Sequence, residues 1–154
     1  MTAAPDDRYD VVVVGSGGGL IGAYAAARRG LRTLVIEKAT HVGGTTSWSG
    51  AGIWLPGNPA ILRAGIDDSP EAARPYLDAI VGDTAPVELR HAYLHAGPPM
   101  MEELEDDPWF GPFAWRPIPE YYEGRPGFLK QGRTVFPADL PRAELGDLEP
   151  LVRR

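Results

Sequence analysis

The sequence contains no cysteine, which removes disulfide staples, thiolate metal sites and cysteine nucleophiles together. Basic residues are in deficit: 15 Lys and Arg face 21 Asp and Glu, for a formal net charge of −6. Phosphate-backbone binding rests on clustered Lys and Arg, so no nucleic-acid partner is expected. No apolar run approaches the ~18 residues of a membrane-spanning helix, so no transmembrane segment is expected. The start, Met1-Thr2-Ala3-Ala4-Pro5-Asp6-Asp7, is acidic and lacks the basic opening and apolar core of a secretion signal, which points to a cytoplasmic location. Neither H-E-x-x-H nor G-x-S-x-G occurs, so the zinc-protease and serine-hydrolase signatures are missing. His91 and His95 lie four apart with no third ligand at a suitable spacing, and no metal site is expected. The run Glu102 to Asp107 reads as a solvated helix end.

What is present is the material of one soluble domain: 154 residues, 44% apolar and 23% charged. Nineteen glycines and 16 prolines make up almost twice the usual share of roughly 12%, so turns should dominate over long regular elements. Val11-Val12-Val13-Val14 is an uninterrupted β-branched run, suited to a strand covered on both faces. An alanine-rich helix from Leu20 to Arg29 follows, with Gly30 placed to end it in a left-handed turn. Thr33 to Ile36 makes a second buried strand, and a helix between two such strands gives a right-handed βαβ unit.

Further on, Ser69-Pro70-Glu71 reads as an N-cap, a proline at the first helical position and an acid in the first turn. That helix should reach Val81, kinked at or near Pro75. Another should start near Pro86, carry Leu89, Tyr93 and Ala96 on one face, and stop at Gly97-Pro98-Pro99, with a short helix from Met100 to Glu105 after it. Between Pro108 and Pro137 stand ten glycines and prolines and eight of the 14 aromatics. A loop region that rich in rings must bury them against something.

The chemistry starts at Gly15-Ser16-Gly17-Gly18-Gly19-Leu20-Ile21-Gly22. Glycines between a strand and a helix allow a sharp turn and close approach to a pyrophosphate, while the helix N-terminus offers free N–H groups and a positive dipole end. Two registers fit. Gly15 and Gly17 follow the strand directly but place Leu20 where the third glycine belongs. Gly17, Gly19 and Gly22 satisfy G-x-G-x-x-G two residues later. The first is favoured, with one residue missing from the loop, because the turn should follow the strand. Glu37 stands 22 residues beyond Gly15, close to the ~20 at which a carboxylate accepts ribose hydroxyls. An acid there opposes a 2′-phosphate, which disfavours NADP.

The segment after Glu37 narrows the choice. Glu37-Lys38, then Gly43-Gly44-Thr45 and Ser47-Trp48-Ser49-Gly50, resembles the fumarate reductase and succinate dehydrogenase flavoprotein superfamily. The resemblance implies FAD as cofactor and a Rossmann-like α/β domain. By it, Gly15, Ser16, Gly17, Gly18, Gly19, Glu37, Lys38, Gly43, Gly44 and Thr45 would hold the dinucleotide, with Ser47, Trp48, Ser49, Gly50 and Ala51 nearest the flavin end.

Ser49 to Pro56, together with Ile118-Pro119-Glu120-Tyr121-Tyr122, resembles more narrowly the 3-ketosteroid Δ1-dehydrogenases. That likeness runs along nearly the whole chain, to Phe136-Pro137. It implies a steroid or similar apolar ketone as substrate, hydride passing from C1 to FAD, a tyrosinate taking the C2 proton, and an electron acceptor to reoxidise the flavin. Tyr121 would be the tyrosine that supports the base, with Tyr122 as its alternate. The base, the keto-polarising tyrosine and the second FAD-binding portion belong by the resemblance to later sequence. The expected architecture is therefore an N-terminal part of a longer flavoenzyme: 1–60 as the first part of a discontinuous FAD-binding domain, and 61–154 as a helical and irregular region leading into the substrate domain. A reductase of fumarate-like acids and a non-catalytic nucleotide-binding protein stand as alternatives. Eight clustered aromatics favour the apolar ketone over a dicarboxylate.

Overall fold

The computed structural model describes residues 8–153, and the acidic stretch 1–7 lies outside them. Val11–Val14 forms β1, Gly19–Arg28 forms α1 and Thr33–Ile36 forms β2. The strands pair in parallel, Val11 opposite Thr33 through to Val14 opposite Ile36, with α1 as the crossover. Branched side chains favour extended backbone, the run Ala25-Ala26-Ala27 favours helix, and Gly30 at φ +79° makes the left-handed turn after α1. The expected cover on both faces of β1 is not found. Val13 packs beneath α1, but Val12 and Val14 are 52% and 79% exposed. Among the described residues β1 pairs with β2 alone, and one helix can cover only one side of the pair.

By its contacts the chain divides into two compact units, Met1–Gly50 with Leu140–Arg154, and Ala51–Asp139. Strand and bridge pairing holds the pieces of each unit together. Ile53–Trp54 (β3) hydrogen-bonds to Thr134–Phe136 (β5), which ties it to the second unit. Val152 bridges Val42 in parallel, which ties the tail to the first.

The second unit holds an antiparallel sheet, β3-β5-β4 with β4 at Ala114–Trp115, and three helices: α2 at Pro59–Arg63, α3 at Pro70–Val81 and α4 at Val87–Glu105. The Ser69 hydroxyl accepts from Ala72 N at 3.1 Å to cap α3, and Gly82 at φ +54° ends it. Pro75 lies inside α3 without ending it.

The expected stop at Gly97-Pro98-Pro99 is also not found, because α4 runs through it as one helix of 19 residues. The buried stripe is Leu94, Gly97, Met101 and Leu104, at helical spacing on both sides of the prolines, whereas Leu89 and Tyr93 are exposed. A Cβ at Gly97 would overlap Leu55 Cδ1, so this glycine marks a close helix contact instead of a terminus. Tertiary packing over that stripe outweighs the two missing N–H donors. Glu105 is likewise not solvated. Its carboxylate takes Arg63 in a two-pronged pair at 2.7 Å and Phe113 N at 2.7 Å. Leu55, Ile61, Ala73, Leu94, Met101 and Val135 form the buried core of this unit. No helix among the described residues is long and apolar enough to cross a membrane.

Candidate functional site

The glycine turn leaves β1 at once: Gly15 sits at φ +92°, and its N–H reaches the Ile36 carbonyl at 2.8 Å. Gly17 lies against the second glycine stretch. A Cβ on Gly17 would meet Gly43 O at 3.6 Å, and one on Gly44 would meet Gly17 Cα at 3.4 Å. Gly19 opens α1, and a Cβ there would lie 2.8 Å from Val13 Cγ1. The three glycine tasks (turn, close approach, helix-on-strand contact) therefore fall at Gly15, Gly17 and Gly19. The direct register, with one residue missing from its loop, puts the third glycine at Gly19, where the contact with Val13 lies. A Cβ on Gly22, the third glycine of the other register, would meet nothing within 4 Å. The contact that identifies Gly19 is with Val13, which no spacing rule names.

Ser16 joins the parts. It is 1% exposed. Its hydroxyl donates to Glu37 Oε2 at 2.6 Å and accepts from Gly43 N at 2.9 Å, while its own N–H reaches the same Glu37 oxygen at 3.0 Å. Ala39 N donates to Glu37 Oε1 at 2.9 Å. These bonds, the Ser16 hydroxyl first and the Ala39 amide second, lower the Glu37 pKa to about 2, so the carboxylate is ionised at neutral pH. Ser16, expected to hold the dinucleotide, has its side chain turned inward, where it ties β2 and both glycine stretches together.

The second stretch is a run of tight turns. Gly43 and Gly44 take φ +113° and +51°, and Thr45 leads into a short 3-10 turn, Thr46–Trp48. Ser47 Oγ donates to Gly44 O at 3.1 Å and Ser49 Oγ to Thr46 O at 2.8 Å. Lys38, Gly50 and Ala51 are exposed, and Ala51 adopts φ +57°. Trp48, 69% exposed, carries the Arg153 guanidinium 5.5 Å above its ring beside an open pocket also lined by His41, Pro150 and Val152.

These groups fit the adenosine diphosphate part of FAD. Gly18 precedes α1 with no side-chain cap, and the first turn of α1 holds no acid to oppose an anion, while Leu20 N is already turned to Gly17 O at 3.2 Å. Glu37 accepts from the Ser16 hydroxyl and amide and from the Ala39 amide, with the Lys38 amide also contributing to its low pKa, so its carboxylate is held in a fixed, ionised orientation at the end of β2.

In the second unit the aromatic stretch splits, correcting the expectation that all its rings are buried. Phe113 is buried, Phe128 packs on Tyr76 at 6.5 Å, and Trp115 Nε1 donates to Gly132 O at 2.9 Å. Trp109, Tyr121 and Tyr122 are 83%, 90% and 54% exposed. The Tyr122 amide donates to the hydroxyl of buried Tyr76 at 3.2 Å. Burial pushes the Tyr76 pKa upward, so that hydroxyl keeps its proton. The histidines of α4 face acids on α3: His91 lies 3.4 Å from Asp78 and His95 4.0 Å from Glu71.

Known proteins place this geometry. The model of an FAD binding domain matches residues 10–153. The 3-oxosteroid 1-dehydrogenase of Rhodococcus opacus is 48% identical over 140 residues, 90% of this chain and 27% of that protein. The 4-oxocyclohexanecarboxylate 2-dehydrogenase of Sinomonas cyclohexanicum is 37% identical over 99% of this chain and 27% of its own length. The 3-ketosteroid delta1-dehydrogenase of Sterolibacterium denitrificans, solved in complex with 1,4-androstadiene-3,17-dione, superposes with a TM-score of 0.84 at 35% identity, over 94% of this chain and 26% of that one. The chain thus spans about a quarter of the length of these relatives. With an N-terminal Rossmann-like part and a family match that runs over residues 10–153, the chain belongs to the FAD binding domain family.

Proposed function

We propose that the chain is the N-terminal part of an FAD-dependent oxidoreductase that 1,2-dehydrogenates 3-ketosteroids. The observation that carries this reading is the turn from Gly15 to Gly19, with Gly17 lying against Gly43 and Gly44, closed by Ser16 and Glu37. It stands in a chain 45% and 48% identical to proteins named 3-oxosteroid 1-dehydrogenase. When bound, FAD supplies the acceptor for the hydride that leaves the steroid ring. The chain's own residues have narrower tasks. Gly15 and Ser16, whose N–H groups are spent on Ile36 O and Glu37, shape the turn, and Gly17, Gly18, Gly19 and the start of α1 receive the pyrophosphate through backbone N–H groups. Ionised Glu37 orients the ribose. Gly43, Gly44, Thr45, Ser47, Ser49, Gly50 and Ala51, with Lys38 at the other end, follow the cofactor toward its flavin. Tyr121, with Tyr122 as alternate, steadies the proton-abstracting tyrosine, since a free phenol titrates near 10 and needs support to act as a base at neutral pH.

A second reading rests on the relatives from Sinomonas cyclohexanicum, whose names carry a one-ring oxo acid. Both readings share a ring ketone that loses two hydrogens and a flavin that an external acceptor must reoxidise. The first test is FAD uptake: the chain joined to the remaining three-quarters of its Rhodococcus relative, offered excess FAD and then desalted, should stay yellow and release FAD on denaturation. A folded, colourless joined protein refutes the cofactor site. The second follows 1,2-desaturation by the same joined protein with an artificial acceptor. Turnover of 4-oxocyclohexanecarboxylate without turnover of a 3-ketosteroid would decide for the second reading.

A further inference from the structure

A buried ionic cluster lies directly behind the exposed tyrosines. Glu120, Arg133 and Asp68 have side chains 1%, 3% and 1% exposed. Arg133 Nη1 donates to Glu120 Oε1 at 2.5 Å and to Gly127 O at 3.1 Å, and its Nε donates to Asp68 Oδ1 at 2.8 Å. Trp54 Nε1 donates to Glu120 Oε1 at 2.9 Å, Leu129 N to Glu120 Oε2 at 2.7 Å, and Gly57 N to Asp68 Oδ2 at 2.8 Å. Two carboxyl groups and one guanidinium thus share a single buried hydrogen-bonded cluster.

Such a cluster is a poor source of stability, because desolvating three charges offsets most of their attraction; what it does supply is a single geometry. Here that geometry belongs to the chain between β4 and β5, which has no helix or strand of its own over residues 116–133. Glu120 turns inward, and the Tyr122 amide is held by the Tyr76 hydroxyl. Gly132 lies so close to the Ile118 carbonyl that no Cβ fits between them. Tyr121, between two anchored neighbours, is 90% exposed. The backbone on either side of Tyr121 is anchored, so the direction in which its Cα–Cβ bond leaves the turn is set by Glu120 and the Tyr122 amide.

We infer that Glu120, clamped by Arg133 and Asp68, is a positioning residue: it fixes the 120–122 turn so that Tyr121 and Tyr122 are presented in one orientation to the ring ketone's proton-abstracting group. This rests on the role proposed above for those tyrosines. The ion cluster acts on the reaction only through the turn and touches neither substrate nor flavin.

The test uses fluorotyrosine at 121 or 122, read by fluorine NMR in this chain, together with kinetics of the joined, FAD-loaded enzyme. Glu120→Gln removes the charge and leaves the amide group to face either Leu129 N or Arg133 with a donor. Each fluorine resonance, single in the parent, should split or broaden. In the enzyme kcat should fall 10- to 100-fold with KM and FAD affinity within threefold, and the acid limb of the kcat/KM profile should move to higher pH as the base loses its support. Should that variant fail to fold, Glu120→Asp, which keeps the charge and withdraws it by one methylene, carries the same test with a smaller effect. Unchanged fluorine spectra in the folded variant overturn the proposal, as does a kcat loss that follows thermal unfolding with an unmoved pH profile. Parent-like kinetics for both Tyr121→Phe and Tyr122→Phe would instead overturn the catalytic reading of the tyrosines, a separate failure because the spectra report the turn alone.

Discussion

Gly132→Ala tests the tightest backbone approach in the second unit. Gly132 sits at φ +73°; a Cβ built there overlaps the Ile118 carbonyl oxygen and lies 2.7 Å from its carbon. Two costs add. The left-handed conformation alone costs alanine about 1–2 kcal/mol. Relief of the overlap requires the Ile118 and Gly132 backbones to separate by more than an ångström, and overpacking of that kind costs about 1–3 kcal/mol. The separation would also disturb the Trp115 bond to Gly132 O and the Arg133 side chain next to it. The expected loss is about 2–5 kcal/mol, a large part of the ~5–15 kcal/mol that holds a small domain. Gly124→Ala is the control, because Gly124 has φ +77° in the same unit but open space where its Cβ would go. It should lose only the conformational share. Urea unfolding followed by tryptophan fluorescence reads both variants, since Trp54, Trp109 and Trp115 report the second unit. With a slope of about 2 kcal/mol per molar urea, the two midpoints should differ by about 1 M. Coincident midpoints would mean that the Ile118–Gly132 approach is absent from the folded molecule, and the anchoring of the 118–122 turn would fall with it.

Two further tests address the cofactor cradle. Ser16→Ala removes the largest cause of the low Glu37 pKa, so carbon NMR of that carboxyl should show it titrating well above its parent value of about 2, toward 4.5. Because the native pKa lies below the unfolded one, the stabilisation from the ionised form is complete above about 4.5 and lost as pH falls through about 2. Acid unfolding of the variant should accordingly begin at higher pH than in the parent, and its FAD affinity, read by quenching of flavin fluorescence, should weaken several-fold; an unmoved titration would refute the Ser16–Glu37 bond. Gly19→Ala sets a methyl 2.8 Å from Val13 Cγ1 and should lift α1 from β1 at about 1–2 kcal/mol, measured by thermal melting, whereas Gly22→Ala, with open space around it, should be neutral or slightly stabilising.

What was legible in the sequence was local. The valine run, Gly30 and the Ser69-Pro70 cap each act within a few residues of themselves, and the structure has them where propensity and capping put them. What was not legible depends on contacts across long separations. Pro98 and Pro99 carry a strong local stop signal, and it is overruled by Leu94, Met101 and Leu104 packing on one side of α4 and by Leu55, 42 residues before Gly97. Glu105 reads as one more surface acid until Arg63 arrives from α2. Asp68, Glu120 and Arg133 stand as far as 65 residues apart, and nothing in their immediate neighbours marks them as partners.

The cradle shows both kinds of information in one site. Spacing alone marks Gly15, Gly17 and Glu37 as candidates, because the turn, the approach and the acid at the end of the second strand follow from a strand–helix–strand path of fixed rise per residue. Spacing with one residue missing also reaches Gly19 but cannot say why a glycine is needed there, since that requirement is imposed by a neighbour: α1 starts at Gly19, and Val13 leaves no room for a Cβ. Nor could it find that Ser16 closes the loop, because the hydroxyl's two partners, Glu37 and Gly43, come from β2 and from the second glycine stretch. A loop shortened by one residue keeps its geometry here because the side chain at its second position bonds to both segments that flank it, and an alanine at that position would leave the Gly43 N–H and one Glu37 oxygen each short of a partner.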